Sequence, residues 1–400
     1  MPRTVSFFRS VALVVVLGHL GAPWVVAQLP GDINPKLFAA LEYRHIGPVG
    51  NRVSAVTGVP GNLNIYYIGA ASGGIFKSVD GGIHWEPVFD DQPAASIGSL
   101  AIDPVNPNVV WAGTGETFIR SNISHGNGIY KSTDAGKTWR HMGLDATGRI
   151  GRIVIHPTSP DLVFAAAMGH GYGPQQERGV FRTTNGGETW EHVLFVDENT
   201  GASDIVMDPN NPRILFAGMW QLAIQTWGRQ SGGPGSGLWT SRDSGQTWEE
   251  LVGSGLPDKP IGKIGLAMTP DDSNRVYALI ETNSNADYAE LADHQGVLWR
   301  SDDGGSQWRM VNADHTLAQR PLYYTRAAVA PDDRDEIHFL STRHSVSLDG
   351  GMTIERGTAG GDNHDMWIDP LQPDRMIVGH DGGVSISTTH GRSWWRPRLP

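Results

Sequence analysis

The 400-residue chain contains no cysteine. Disulfide staples, thiol nucleophiles and thiolate metal sites are therefore excluded, and stability must come from packing and hydrogen bonds. Charged residues make up only 18% of the sequence, and acids outnumber bases to give a net charge of −11. A surface of that sign repels phosphate backbones, so nucleic acid is not expected as a partner. Beyond the N-terminus no stretch approaches 18 consecutive apolar residues, so no membrane span is expected in the mature chain. The N-terminus itself carries Arg3 and Arg9, then the apolar run Val11 to Leu17, then small residues at Val25-Val26-Ala27. This pattern predicts a signal peptide over 1–27 and a secreted or periplasmic protein, with a linker over 28–41.

What is abundant is glycine, with 51 residues, and tryptophan, with 14. Both recur in one motif. It runs Ser78-Val-Asp80-Gly-Gly82-Ile-His-Trp85, and returns from Ser132, Thr183, Ser241, Ser301, Ser347 and Ser387. This is the S-x-D-x-G-x-T-W pattern known as the Asp-box. The Asp accepts hydrogen bonds from turn N–H groups, the Gly takes a positive φ, and the Trp opens a strand and packs between units. Asn185 and Thr389 stand in for Asp, and Ile354 for Trp, so weaker turns or packing are expected there. These aspartates are structural rather than catalytic candidates.

A second repeat precedes each box. AIDPVNPNVVWAGT from Ala101 and VMDPNNPRILFAGM from Val206 typify it: an apolar strand, a Pro-bearing turn and a second apolar strand. Adding the strands on either side of the box gives four strands per unit. Four strands repeated about seven times predict an all-β fold, a β-propeller of seven four-stranded blades over 42–400. The spare segment Tyr43 to Ile46 is expected to pair near Trp394-Trp395 and close the ring.

The boxes, the I-D-P-x-x-P segments, and the opening IGPVGNRVSAV with GAASGGIFKS resemble two groups of Asp-box propellers. One is the sortilin N-terminal (VPS10-like) propeller, a binding domain. The other is the family 74 glycoside hydrolases, the xyloglucanases. The resemblance covers essentially the whole mature chain and implies a longer natural protein. It identifies the fold far more strongly than an activity.

The strand order places the boxes on one face, with the candidate site on the opposite rim. Three chemistries compete there. Glycoside hydrolysis needs two carboxyls astride the scissile bond. The xyloglucanase resemblance implies a base two residues before Gly73-Gly74, but that position is Ala71. Asp365 matches the second carboxylate, and Glu116 is the best substitute for the first. A sialidase-type site is less expected, since there is no R-I-P motif and no clear arginine triad, although Arg52, Arg120 and Arg326 could in principle converge. A metal site would use His364, Asp365, His380 and Asp381. The plainer expectation is that they hydrogen-bond within their loops, so no metal or cofactor is expected. The preferred expectation is a binding surface for a glycan, a peptide or a partner protein. Arg52, Arg120, His125, Tyr323, Tyr324, Arg326, His364, His380 and Asp381 would form it, with Tyr172, Trp220 and Trp227 as further rim aromatics.

Overall fold

The computed structural model describes residues 34–38, 41, 51–120, 122–282 and 297–400. The chain divides into two units, Met1–Gly47 and Pro48–Pro400. The first contributes one described element, a 3-10 turn over Pro35–Phe38. The predicted signal peptide and the segment Tyr43 to Ile46 lie outside the described residues.

The second unit is a seven-bladed β-propeller. Its inner strands are Val53–Gly58, Ile97–Ile102, Ile150–Ile155, Thr200–Met207, Ile264–Met268, Arg326–Val329 and Asn363–Ile368. Each leads an antiparallel meander running outward, four strands wide in the first six blades. Blade 4 also carries a short extra hairpin, in which Gly228–Ser231 pairs with the far end of Leu215–Gln225. The seventh blade has three named strands, and Trp395 supplies the fourth position by exchanging both backbone hydrogen bonds with Ile386 at 3.0 Å.

The repeated turns explain the regularity. In blade 2, Ser132 Oγ donates to Asp134 and accepts from Gly136 N at 2.8 Å, while Thr138 N donates to Asp134 at 2.9 Å. These bonds to the ionised form hold the carboxyls of Asp80, Asp134, Asp243 and Asp349 at about 2. The variant copies, where weaker turns are expected, keep the turn itself. Asn185 accepts from Thr189 N at 3.0 Å through its side-chain oxygen, and Thr389 Oγ1 accepts from Ser393 N at the same distance. A single side-chain oxygen is enough to accept the N–H four residues on, although Asp134 also uses its second oxygen to accept from Thr138 Oγ1 at 2.7 Å. Ile354 likewise packs on the blade 5–6 core cluster in place of an indole.

The turns also fasten blade to blade. Trp139 Nε1 donates to Val88 O of the preceding blade, and Trp190 Nε1 to Met142 O. Gly245 has a φ of 73° and sits against Phe164 of blade 3. A Cβ there would come within 2.4 Å of the ring, so only glycine fits.

Ring closure rests on a clamp. Blade 7 meets blade 1 through a core of Val53, Tyr66, Trp85, Ile377 and Ile386. Beside it, buried Arg375 pairs with Asp369 at 3.0 Å. It also donates to Tyr66 Oη, Val59 O and Ile65 O of blade 1 at 2.8, 3.0 and 2.8 Å. Asp369 in turn accepts from Gly61 N at 3.0 Å. At the blade 6–7 seam runs a buried histidine chain. Ala359 N donates to His344 Nδ1, which leaves His344 Nε2–H to donate to His338 Nδ1 at 3.0 Å. His338 Nε2–H then donates to Glu336 at 2.8 Å. This order satisfies every partner only while both rings are neutral.

Candidate functional site

The inner strands bring one residue each to the axis at the same register, five positions before the proline of the repeat. That column reads Ala55, Ser99, Arg152, Asp204, Gly265, Arg326 and Asp365. Its charged members form a network. Arg152 donates to Asp204 at 2.9 Å and to Asp365 at 3.4 Å, and Arg326 donates to Asp365 at 3.2 Å. Burial opposes ionisation of Asp204, but Arg152 and Arg326 outweigh it and hold its carboxyl below the usual range. The two aspartates have a second task. Asp204 accepts from Leu266 N of blade 5 at 3.0 Å, and Asp365 accepts from Val56 N of blade 1 at 3.1 Å. Ser99 does the same for Ile153 N of blade 3. Asp365, one of the two candidate catalytic carboxylates, is thus the blade 7 member of a set whose polar side chains each bond to the next blade.

Above this network lies a plug. The blade 2 loop after Thr114 crosses to the entry of blade 6, where Ile119 N donates to Leu322 O at 3.1 Å. Phe118 is buried against His364, Tyr323 and the Arg326 guanidinium, with centroid distances of 4.4, 5.7 and 5.6 Å. Lys263 of blade 5 reaches the same plug, donating to Tyr324 O at 2.7 Å. Burial pushes its ammonium down to about 7, with Arg326 adding to the shift. Its neighbour Glu281, whose carboxyl is raised by burial, accepts from Ser231 Oγ and Lys263 N.

The plug carries most of the sequence-predicted residues. Glu116, fully buried, pairs through one oxygen with both Arg52 and Arg120 at 2.8 Å, and its other oxygen accepts from Ser124 N at 3.3 Å. Tyr323 donates to Asp381 at 3.0 Å, and burial pushes its phenol up to about 12. His364 donates to Val53 O at 2.7 Å and faces Asp381 at 3.2 Å. Burial works against the Asp381 charge, but His364 and Tyr323 hold its carboxyl below the usual range. Tyr324 donates to Asp362, and exposed Arg320 lies over the rings of Tyr323 and Tyr324 at 5.1 and 5.6 Å.

Two predicted residues stand apart. His380 turns into blade 7, where it meets Ser385 Oγ at 3.2 Å and accepts from Gly382 N. Burial, with Arg396 and His364 nearby, brings its imidazole down to about 4. It does not join Asp381 on the rim, so the four-residue metal set is not assembled. Among the described residues, no group of three or more His, Asp or Glu side chains is arranged to hold a metal ion. His125 lies toward blade 3, with its Nδ1 3.2 Å from that of His170. The sequence reading missed Arg152, Asp204, Phe118, Lys263 and Arg320. The shared register of the axial column was the signal for the first two.

Comparison with known proteins agrees on the fold. The family described as Sortilin, neurotensin receptor 3 matches residues 127–254. The xyloglucanase Xgh74A of Acetivibrio thermocellus is 26% identical over 226 residues, covering 51% of this chain and 25% of its own length. The "Probable oligoxyloglucan-reducing end-specific xyloglucanase" of Neosartorya fischeri is 23% identical over 377 residues, covering 83% and 42%. This chain therefore spans less than half the length of these curated relatives. Among solved structures, the GH74 xyloglucanase of Xanthomonas campestris has a TM-score of 0.61 at 16% identity, with 88% of this chain and 55% of that one covered. YCF48 bound to D1 peptide has a TM-score of 0.54 at 15% identity, covering 87% and 98%. No described helix is long and apolar enough to cross a membrane. The chain is a seven-bladed β-propeller similar to the sortilin propeller and to the xyloglucanases.

Proposed function

We propose that this is a secreted or periplasmic binding propeller, and that it recognises its ligand on the plugged rim opposite the repeated turns. One observation carries the reading: both candidate catalytic carboxylates are spent on structure. Asp365 is 5% exposed, with one oxygen held by Arg152 and Arg326 and the other by Val56 N. Glu116 is 0% exposed and is held by Arg52, Arg120 and Ser124 N. A general acid or base must reach the proton it moves, within about 3 Å or through one water. Neither group presents an open oxygen to a polymer on the rim. Ala71 cannot replace the missing base.

What the rim does offer is recognition chemistry. Arg120 and Asp381 have side-chain exposures of 32% and 47%, and Arg320 stands over the tyrosines. YCF48, matched over nearly its whole length, has been seen with a bound peptide, which agrees with a single propeller serving as a binding module. The names of the xyloglucanase relatives favour hydrolysis as the second reading.

The test combines a glycan and peptide binding panel with a reducing-sugar assay on xyloglucan. Binding that weakens in Arg120→Ala or Arg320→Ala, with no turnover, supports the proposal. Robust turnover that is abolished in both Asp365→Ala and Glu116→Ala would replace it with the enzyme.

A further inference from the structure

We propose that a groove between blades 5 and 6 binds the sulfate groups of a sulfated polysaccharide. The inference rests on the binding reading above and names a ligand class for it. Three elements meet in the groove: the turn His315–Ala318 that leads into blade 6, and the strands Arg343–Ser347 and Glu355–Gly361 of that blade. Its volume is about 480 Å³. Arg343 and Arg356 both line it, and both are exposed. Ser345 pairs directly with Arg356 across the strands, and Arg343 stands two residues from Ser345. That register makes the two arginines diagonal neighbours, about 7–8 Å apart at the backbone.

The groove has donors in surplus. Neither guanidinium has a side-chain partner among the described residues, and Glu355, the one acid on the lining, pairs with neither. Thr342 Oγ1 donates to Gln319 Oε1 at 2.5 Å, which leaves the Gln319 Nε2 donors over. Thr316 and Ser345 add hydroxyls. The ligand that matches such a lining is an acceptor-only anion. Because the donors converge from three elements, a tetrahedral oxyanion, whose oxygens point in several directions, meets more of them than a flat carboxylate does. In a chain whose net charge is −11, this surplus of cations is a local reversal of sign. It continues onto the rim, because exposed Arg320 directly follows Gln319 in the chain.

The repeat pattern marks the same seam. Ile354 lines the groove at the box position that holds Trp in the other six blades. In blades 2 and 3 that indole reaches back to a carbonyl of the preceding blade, whereas the smaller Ile354 fills less of the space between blades 5 and 6. Ile354 is also the one apolar side chain on the lining. The groove therefore has no pocket for the apolar side chains that anchor a peptide, while its hydroxyls and amide suit the hydroxyls of a sugar.

The test is calorimetric titration of the full chain with chondroitin sulfate, unsulfated chondroitin and poly-glutamate. We expect chondroitin sulfate to bind, the unsulfated polymer to bind at least tenfold more weakly, and added salt to weaken the sulfated form. Arg343→Gln and Arg356→Gln are exposed changes, each expected to weaken binding several-fold with unaltered melting. Absence of chondroitin sulfate binding, equal binding of the unsulfated polymer, preferential binding of poly-glutamate, or an affinity unchanged in both variants overturns the inference. If a neutral glycan or peptide instead binds through Arg120 or Arg320, the binding propeller stands and the sulfate groove falls. If no glycan or peptide binds the rim or the groove, both fall.

Discussion

Replacing Arg375 with methionine tests how the ring is closed. Methionine keeps most of the volume but removes the charge and every donor. In the folded protein this leaves Asp369, which is 0% exposed, facing Gly61 N without its cation. It also leaves Tyr66 Oη, Val59 O and Ile65 O without the donors that cross the seam. Breaking a buried ion pair by removing one partner costs about 3–5 kcal/mol. The cation–π contact with Tyr66, at 4.1 Å, is lost as well and is worth about 1–2 kcal/mol when desolvated. Against this, the double variant Arg375→Met with Asp369→Asn removes the stranded charge and should recover a large part of the loss. Urea denaturation of the wild type, both single variants and the double variant completes the cycle. Destabilisation of Arg375→Met by less than about 1 kcal/mol, or a cycle that is simply additive, would refute the clamp.

Acid should loosen the same side of the ring. Unfolded imidazoles take up protons near 6.5, whereas burial holds His344 and His380 neutral down to about 3 and about 4 in the folded protein. The unfolded state thus binds more protons between these values, so stability is full above pH 6.5 and falls below it, by about 2 kcal/mol per histidine from pH 7 to pH 5. Equal urea midpoints at the two pH values would contradict this. Asp134→Ala should cost about 1 kcal/mol, because the turn is partly open to water and solvent replaces some of the lost bonds, and it should leave ligand affinity unchanged. Denaturation and titration of one preparation check both halves. Arg326→Gln removes a donor from Asp365 inside the axial network and should lower the melting midpoint by several degrees. A melting curve that superimposes on the wild type would show the network to be dispensable.

The fold was legible because its cause is local. Each Ser-x-Asp-x-Gly turn is closed by atoms within four residues of one another, so seven copies of a short motif are enough to count blades. The axial column was legible in principle, since Arg152, Asp204, Arg326 and Asp365 share one offset from a proline. It was not read because no single copy looks unusual. The plug was beyond reach of that logic. Phe118 meets His364 across two segments separated by more than half the chain, and nothing in either segment announces the other. His380 shows the converse error. It neighbours Asp381 in sequence, but His380 ends the strand Met376–His380 and its ring meets Ser385 inside the blade, whereas Asp381 lies in the turn that follows and meets Tyr323 on the rim.

The crossing loop of blade 2 also alters what kind of object the ring is. An array of repeats is normally a chain of nearest neighbours, in which each unit senses only the one before and the one after. The hydrogen bond from Ile119 to Leu322 is a chord drawn across the circle, from blade 2 to the entry of blade 6. It splits the circumference into two arcs, one through blades 3, 4 and 5 and the other through blades 7 and 1. A break in either arc leaves the other closed on itself through the chord, so parting one seam does not have to unravel the molecule. The seam between blades 7 and 1, where the last blade meets the first, lies within the shorter arc.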